Sequence, residues 1–219
     1  MYIFLFSKCH RIVRIIIDSA MTVLLLCAYN SNFARGRGHI FIGTGMIVLF
    51  ALHIFINGHW FKNIFKGTYT PRRIFMTVVN ILLVLVAATL VMSGLLEGGF
   101  DTRQIHTTAA YWFLPIVGVH LGLHWGMFSK YMKTRLIIII MRILAFLFFA
   151  FGVWSFFDRD MFSKMFLGFS FDYWPQEKPI ILFYAQTLSV MVIYVYGIYY
   201  LLKLIARLTT GNKNITEVL

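Results

Sequence analysis

Two apolar stretches of the chain carry a histidine at each end, and this spacing constrains the fold more than any other feature. The stretches are HIFIGTGMIVLFALH, from His39 to His53, and HTTAAYWFLPIVGVH, from His106 to His120. In both, the two histidines are fourteen positions apart. An α-helix turns by about 100° and rises by about 1.5 Å per residue. The histidines of one stretch therefore face the same way to within about 40° and lie about 21 Å apart along the helix.

Four histidines in this arrangement predict two metal centres, one near each side of a hydrocarbon layer about 30 Å thick. If the two helices run parallel, His39 faces His106 and His53 faces His120, so each pair can hold one metal from opposite sides. Two stacked haems with paired axial histidines fit this geometry. No C-x-x-C-H run occurs, which excludes covalent attachment and makes the predicted haems b-type. Histidines in membrane helices also serve as proton relays, so a haem-free transporter or proton channel is the alternative from another class.

The composition is that of a membrane protein. Hydrophobic residues make up 60% of the 219, and charged residues only 13%, whereas soluble domains have about 25% charged residues. The net charge of +12 does not indicate a nucleic-acid-binding surface, because the basic residues cluster at the ends of apolar runs, as membrane topology requires. No glycine-rich phosphate loop is present.

We predict an all-α integral membrane protein with six transmembrane helices, the first four forming a bundle around the two haems. An interfacial segment at 1–12 precedes this cytochrome domain of residues 13–205, and a cytoplasmic tail follows at 206–219. The predicted spans cover residues 13–29, 38–60, 72–96, 105–127, 136–156 and 180–205. Pro71 is placed to begin the third span, which lacks histidine and is interpreted as scaffold. Asp18 lies in the first span and needs a partner or a position near the boundary.

The distribution of Lys and Arg predicts the orientation. Thirteen of them fall on the side of the termini and six on the other side, and the richer side is the cytoplasmic one. Both termini are therefore predicted to be cytoplasmic. His39 and His106 then lie towards the outside, whereas His53 and His120 lie towards the cytoplasm.

Arginines close to the outer histidines are candidates for binding haem propionates. Arg35 and Arg37 precede His39, and Arg103 precedes His106 by three residues. A guanidinium pairs well with a carboxylate. The alternative is that these arginines bind lipid headgroups at the membrane surface.

Two further histidines follow the inner pair. His124 lies one helical turn after His120 on the same face. It is a candidate to approach the inner-haem propionates, to accept a quinol proton or to ligate in place of His120. His59 follows His53 by six residues, so it should face a different side of the helix from His53.

Several runs resemble the flavinylation-associated cytochromes, a family of b-haem membrane proteins. They are HIFINGHWFKNIF, SGLL, IHTTAAYWFLPIVGVHLGLHW and FDYWPQEKPIILFYAQTLSVMVIYVYGIYYLLKL. The resemblance covers roughly residues 36–205. It implies a conduit in the bacterial cytoplasmic membrane that passes electrons from quinol to an extracytoplasmic flavin-carrying acceptor. By motif position, it implies the same four ligands, His39, His53, His106 and His120.

Two related classes remain as alternatives. A ferric-reductase-like membrane domain also has six spans and paired histidines, and the chain is distantly similar to it. A cytochrome b subunit of a hydrogenase or formate dehydrogenase complex is the other alternative. In each case the chain is an electron-transfer protein or the membrane subunit of an oxidoreductase, and its own sequence identifies no catalytic residue. A bound quinone is possible.

Overall fold

The protein is all-α in a computed structural model that describes residues 2–30, 37–96, 100–129, 134–166, 174–175 and 177–210. No strand occurs among these residues. The helices are α1 Tyr2–Ala28, α2 Arg37–Ile56, α3 Gly58–Lys62, α4 Pro71–Leu95, α5 Phe100–Ser129, α6 Arg135–Asp158, α7 Met161–Met165 and α8 Ile180–Thr210. The all-α prediction is confirmed.

Within the part of the chain that the structure describes, four helices are long and apolar enough to cross a membrane. They are Arg37–Ile56, Pro71–Leu95, Arg135–Asp158 and, within α8, Ile180–Leu208. These helices confirm a multi-pass membrane protein. The spans predicted on α1 and α5 are not among the four, although the two helices have 27 and 30 residues. Both are more polar: α1 contains Arg14 and Asp18, and α5 contains Asp101, Arg103 and three histidines.

The first two predicted spans differ from the observed helices at their ends. Helix α1 runs without interruption from Tyr2, since no glycine or proline occurs in it, so the predicted interfacial segment is continuous with the first span. Helix α2 ends at Ile56, four residues before the predicted end. Asn57 follows it, and the Asn57 backbone N–H and side-chain amide both donate to the carbonyl of His53, at 3.0 and 2.8 Å. Side chains that bond the backbone in this way compete with helix continuation.

Helix α4 begins as the sequence predicts. Thr70 is its N-cap, with an extended backbone and a hydroxyl that accepts from the Arg73 N–H, and Pro71 occupies the first turn. Helix α5 begins at Phe100, with Asp101 in its first turn, where a negative charge stabilises the helix. Pro115 lies inside α5. It has no N–H to donate to the carbonyl of Tyr111, so the helix lacks one backbone hydrogen bond there.

The chain divides into two compact units, which are described separately. The first comprises Met1–Tyr69 and Phe171–Tyr184, and the second Thr70–Ser170 and Ala185–Leu219. In the first unit, α1 and α2 pack antiparallel. The Arg14 guanidinium donates to the Ile56 carbonyl at 3.1 Å, and further along the pair Leu24 lies beside Gly45.

In the second unit, α4 and α5 also form an antiparallel pair. The Arg72 guanidinium donates to the Leu123 carbonyl at one end, and His106 contacts α4 near its other end. A buried cluster of Val79, Leu123 and Ile198 forms part of the core of this unit. Each helix that carries a histidine pair, α2 or α5, is thus paired with the long helix that precedes it.

Glycines allow α8 to approach its neighbours closely in the second unit. A Cβ on Gly118 or Gly122 of α5 would lie 2.9 Å from the Met191 carbonyl oxygen or 2.7 Å from that of Val195. Gly152 of α6 lies against the Ser189 carbonyl in the same way. Small residues at such positions are typical of helix packing in membranes.

The long link after α6 is partly packed in the second unit. Trp112 of α5 donates its indole N–H to the Met165 carbonyl at 2.8 Å. Lys164 is 6% exposed and lies with its Nζ 5.4 Å from the ring centre of Tyr111. Arg159 is 7% exposed and donates to the Thr187 hydroxyl at 2.6 Å. Lys164 and Arg159 are two of the six basic residues that the charge count assigns to the outer side, and both are buried.

Candidate functional site

The four paired histidines lie on two helices. Helix α2 carries His39 and His53, and α5 carries His106 and His120. Each helix is continuous over the fourteen residues that separate its histidines, as the spacing argument requires. All four side chains are half-buried. On α5, Pro115 lies between the two histidines, and proline is a residue type that commonly kinks helices.

In the first unit, His53 forms a hydrogen bond with Asp18 of α1. The His53 Nδ1 lies 2.7 Å from the Asp18 Oδ1, and the two side chains are 26% and 40% exposed. A carboxylate only accepts, so the Nδ1 of His53 carries the hydrogen. The expectation that Asp18 needs a partner is confirmed, and the partner is a candidate ligand.

In the second unit, His106 contacts two acceptors on α4. Its Nδ1 lies 3.1 Å from the Leu90 carbonyl and 3.1 Å from the Ser93 hydroxyl. Ser93 donates its own hydrogen to the Thr89 carbonyl at 2.6 Å, which leaves its oxygen lone pairs for the imidazole. A carbonyl cannot donate, so His106 also carries its hydrogen on Nδ1.

His120 contacts a third polar group of α4. Its Nδ1 lies 3.0 Å from the Asn80 Oδ1, an amide oxygen that accepts. The His124 ring is next to it, with ring centres 4.8 Å apart and planes inclined at 58°. The Asn80 amide thus fixes the orientation of His120.

Three of the four candidate ligands therefore share one arrangement. In His53, His106 and His120, Nδ1 forms a hydrogen bond with an acceptor on the adjacent helix. Metal-ligating histidines almost always have such a partner on the second ring nitrogen, because it fixes the tautomer and the ring orientation. These residues fit an axial-ligand role.

Two further observations describe the surroundings of the histidines. Within the part of the chain that the structure describes, no group of three or more His, Cys, Asp or Glu could hold a bare metal ion. A haem needs only two axial protein ligands, since its porphyrin supplies four nitrogens. A Cβ on Gly43, one turn after His39, would meet no other described atom within 4 Å. A planar group beside His39 would need open space of that kind.

The remaining predicted site residues lie at the helix ends. Arg37 is the first residue of α2 and Arg103 lies in the first turn of α5, and both are exposed. Their role towards propionates stays a prediction, and Arg35 lies outside the described residues. His59 is on α3, separate from α2, with its Nε2 2.9 Å from the Asn63 side-chain nitrogen.

The sequence interpretation missed the residues that orient the histidines. The sequence predicts only a scaffold role for the third span, yet α4 provides Asn80, Ser93 and the Leu90 carbonyl. The sequence does indicate Asn80 and Ser93, because polar side chains inside an apolar span are functional candidates by default. The same reasoning applies to Asp18 in the first span.

Comparisons with protein-family models, with curated proteins and with solved structures found no match to this chain.

Proposed function

We propose that the chain is a membrane cytochrome that binds two b-type haems. His39 and His106 ligate the outer haem, and His53 and His120 ligate the inner one. The observation that carries this proposal is the Nδ1 hydrogen bond that each of His53, His106 and His120 makes with an acceptor on the neighbouring helix, because metal-ligating histidines are oriented by such bonds. Bound haem supplies one-electron oxidation and reduction.

The residues around the ligands support the same assignment. Arg37 and Arg103 stand at the first turns of the two ligand-bearing helices and pair with the propionates of the outer haem. His124 lies beside His120 and borders the inner haem. Helices α1 and α5 complete a set of six spans with the four apolar helices, and polar residues in them are directed to the haems rather than to lipid.

The physiological role that we propose is electron transfer across the bacterial cytoplasmic membrane, with both termini in the cytoplasm. The donor is quinol and the acceptor an extracytoplasmic flavin-carrying protein, as the resemblance to flavinylation-associated cytochromes implies. Two haems about 21 Å apart along the helices would connect the two sides of the membrane without a moving part. The excess of Lys and Arg on the side of the termini supports this orientation.

Purified protein from haem-replete cells should contain two b-type haems per chain, both six-coordinate and low-spin. The reason is that two histidine pairs are available, each able to supply two axial ligands. A pyridine haemochrome assay against protein concentration measures the number, and electron paramagnetic resonance reports the coordination. The variant His59→Ala is the matched control and should retain both haems, since His59 lies on α3 and contacts Asn63.

Zero haems would contradict the proposal and favour a transporter or channel that uses the histidines as proton relays. One haem per chain would contradict the two-centre arrangement.

A further inference from the structure

The acceptors that hold the three histidines differ in charge. His53 donates to a carboxylate, Asp18, whereas His120 donates to a neutral amide, Asn80, and His106 to a backbone carbonyl and a hydroxyl. The bond to Asp18 is also the shortest, at 2.7 Å against 3.0 Å for Asn80. Short length is typical of charge-assisted hydrogen bonds, which are about twice as strong as neutral ones.

A carboxylate acceptor changes the donor strength of the imidazole. It draws the Nδ1 hydrogen towards itself and increases the electron density on Nε2, so the histidine becomes a more basic ligand. A more basic ligand stabilises the ferric state over the ferrous state, because the ferric iron carries the larger positive charge. Hydrogen bonding around the ligands is one of the means by which a protein sets a haem potential.

A second hydrogen bond links α1 to α2 beside the Asp18–His53 pair. Arg14, one turn earlier on α1 than Asp18, donates to the Ile56 carbonyl at the end of α2 at 3.1 Å. Together with the bond between Asp18 and His53, it defines the register of α1 against α2 at this end.

We infer that Asp18 is a positioning and tuning residue that lowers the midpoint potential of the haem ligated by His53, while Asn80 orients the opposite ligand, His120, without that effect. This inference rests on the proposed function. Asp18 does not ligate the iron and acts through His53.

The test is a redox titration of the full-length protein, followed by the visible absorption bands of the two haems. In Asp18→Asn we expect two haems per chain, an upward shift of one midpoint potential and no change in the other. Asn keeps the size of the side chain and an oxygen acceptor, so orientation is retained while the charge is removed. Asp18→Glu keeps a carboxylate, so its midpoint potential for this haem should stay close to that of the unaltered protein and below that of Asp18→Asn.

The reciprocal variant Asn80→Asp should lower the potential of that same haem, because His53 and His120 ligate one iron. Electron paramagnetic resonance should show the change of ligand-field strength in the same haem signal. These readouts do not depend on quinol oxidation or on any acceptor.

Two haems with both potentials unchanged in Asp18→Asn would overturn the inference and leave the proposed function standing. A shift of the other haem by Asn80→Asp would overturn the assignment of both residues to one iron. Absence of haem from the unaltered protein would instead defeat the proposed function and this inference together. If Asp18→Asn does not fold, Asn80→Asp and Asp18→Glu still decide the result.

Discussion

Replacing His120 with alanine should remove one of the two haems, whereas replacing His124 with alanine should leave both. The two histidines lie four residues apart on α5 and face the same way, about 6 Å apart along the helix. His120 is held by the Asn80 amide oxygen at 3.0 Å. It is also the residue whose spacing from His106 equals that of His53 from His39.

Haem content per chain, measured by the pyridine haemochrome assay, distinguishes the two histidines. We expect two haems in the unaltered protein, one in His120→Ala and two in His124→Ala. The His124 variant should still shift the potential of the inner haem, because its ring is 4.8 Å from that of His120. The opposite result, with half the haem lost only in His124→Ala, would mean that α5 is offset by one turn against α2.

The variant Asn80→Leu should weaken haem binding at one site by about 10- to 100-fold, the loss typical when the partner of a metal-ligating histidine is removed. Leucine is close to asparagine in size but cannot accept, so the Nδ1–H of His120 loses the bond that fixes its tautomer. Leaving a buried donor without an acceptor costs about 1–3 kcal/mol. Haem transfer from the purified protein to apomyoglobin measures the affinity at each site.

Ser93→Ala is the matched control on the same helix. It removes one acceptor from His106 but leaves the Leu90 carbonyl 3.1 Å from the same Nδ1. The control should therefore retain both haems with nearly unchanged affinity. Equal haem loss in the two variants would show that the α4 side chains act on packing rather than on ligand orientation.

Periodicity in the sequence predicted the parts of this structure that depend on a single helix. The apolar runs predicted helices, Pro71 predicted the start of α4, and the spacing of fourteen placed each histidine pair on one continuous helix. Each of these features depends on the geometry and hydrophobicity of one segment, so the residues of that segment are enough to predict it.

Contacts between helices could not be predicted in the same way. That Asn80 contacts His120, or that Asp18 contacts His53, depends on the register of one helix against another, which periodicity does not define. The end of α2 at Ile56 depends on the side chain of Asn57, whose bond to the His53 carbonyl the apolar pattern does not predict. The burial of Arg159 in the link after α6 likewise depends on packing against α8, through Thr187.

The central claim is that each haem is ligated by one histidine from α2 and one from α5. Double variants test this pairing most directly, because a second substitution costs no further haem when both residues ligate the same iron. We predict one haem per chain in His39→Ala/His106→Ala and in His53→Ala/His120→Ala. We predict none in His39→Ala/His53→Ala. Loss of both haems from His39→Ala/His106→Ala, with folding confirmed by circular dichroism, would contradict the pairing.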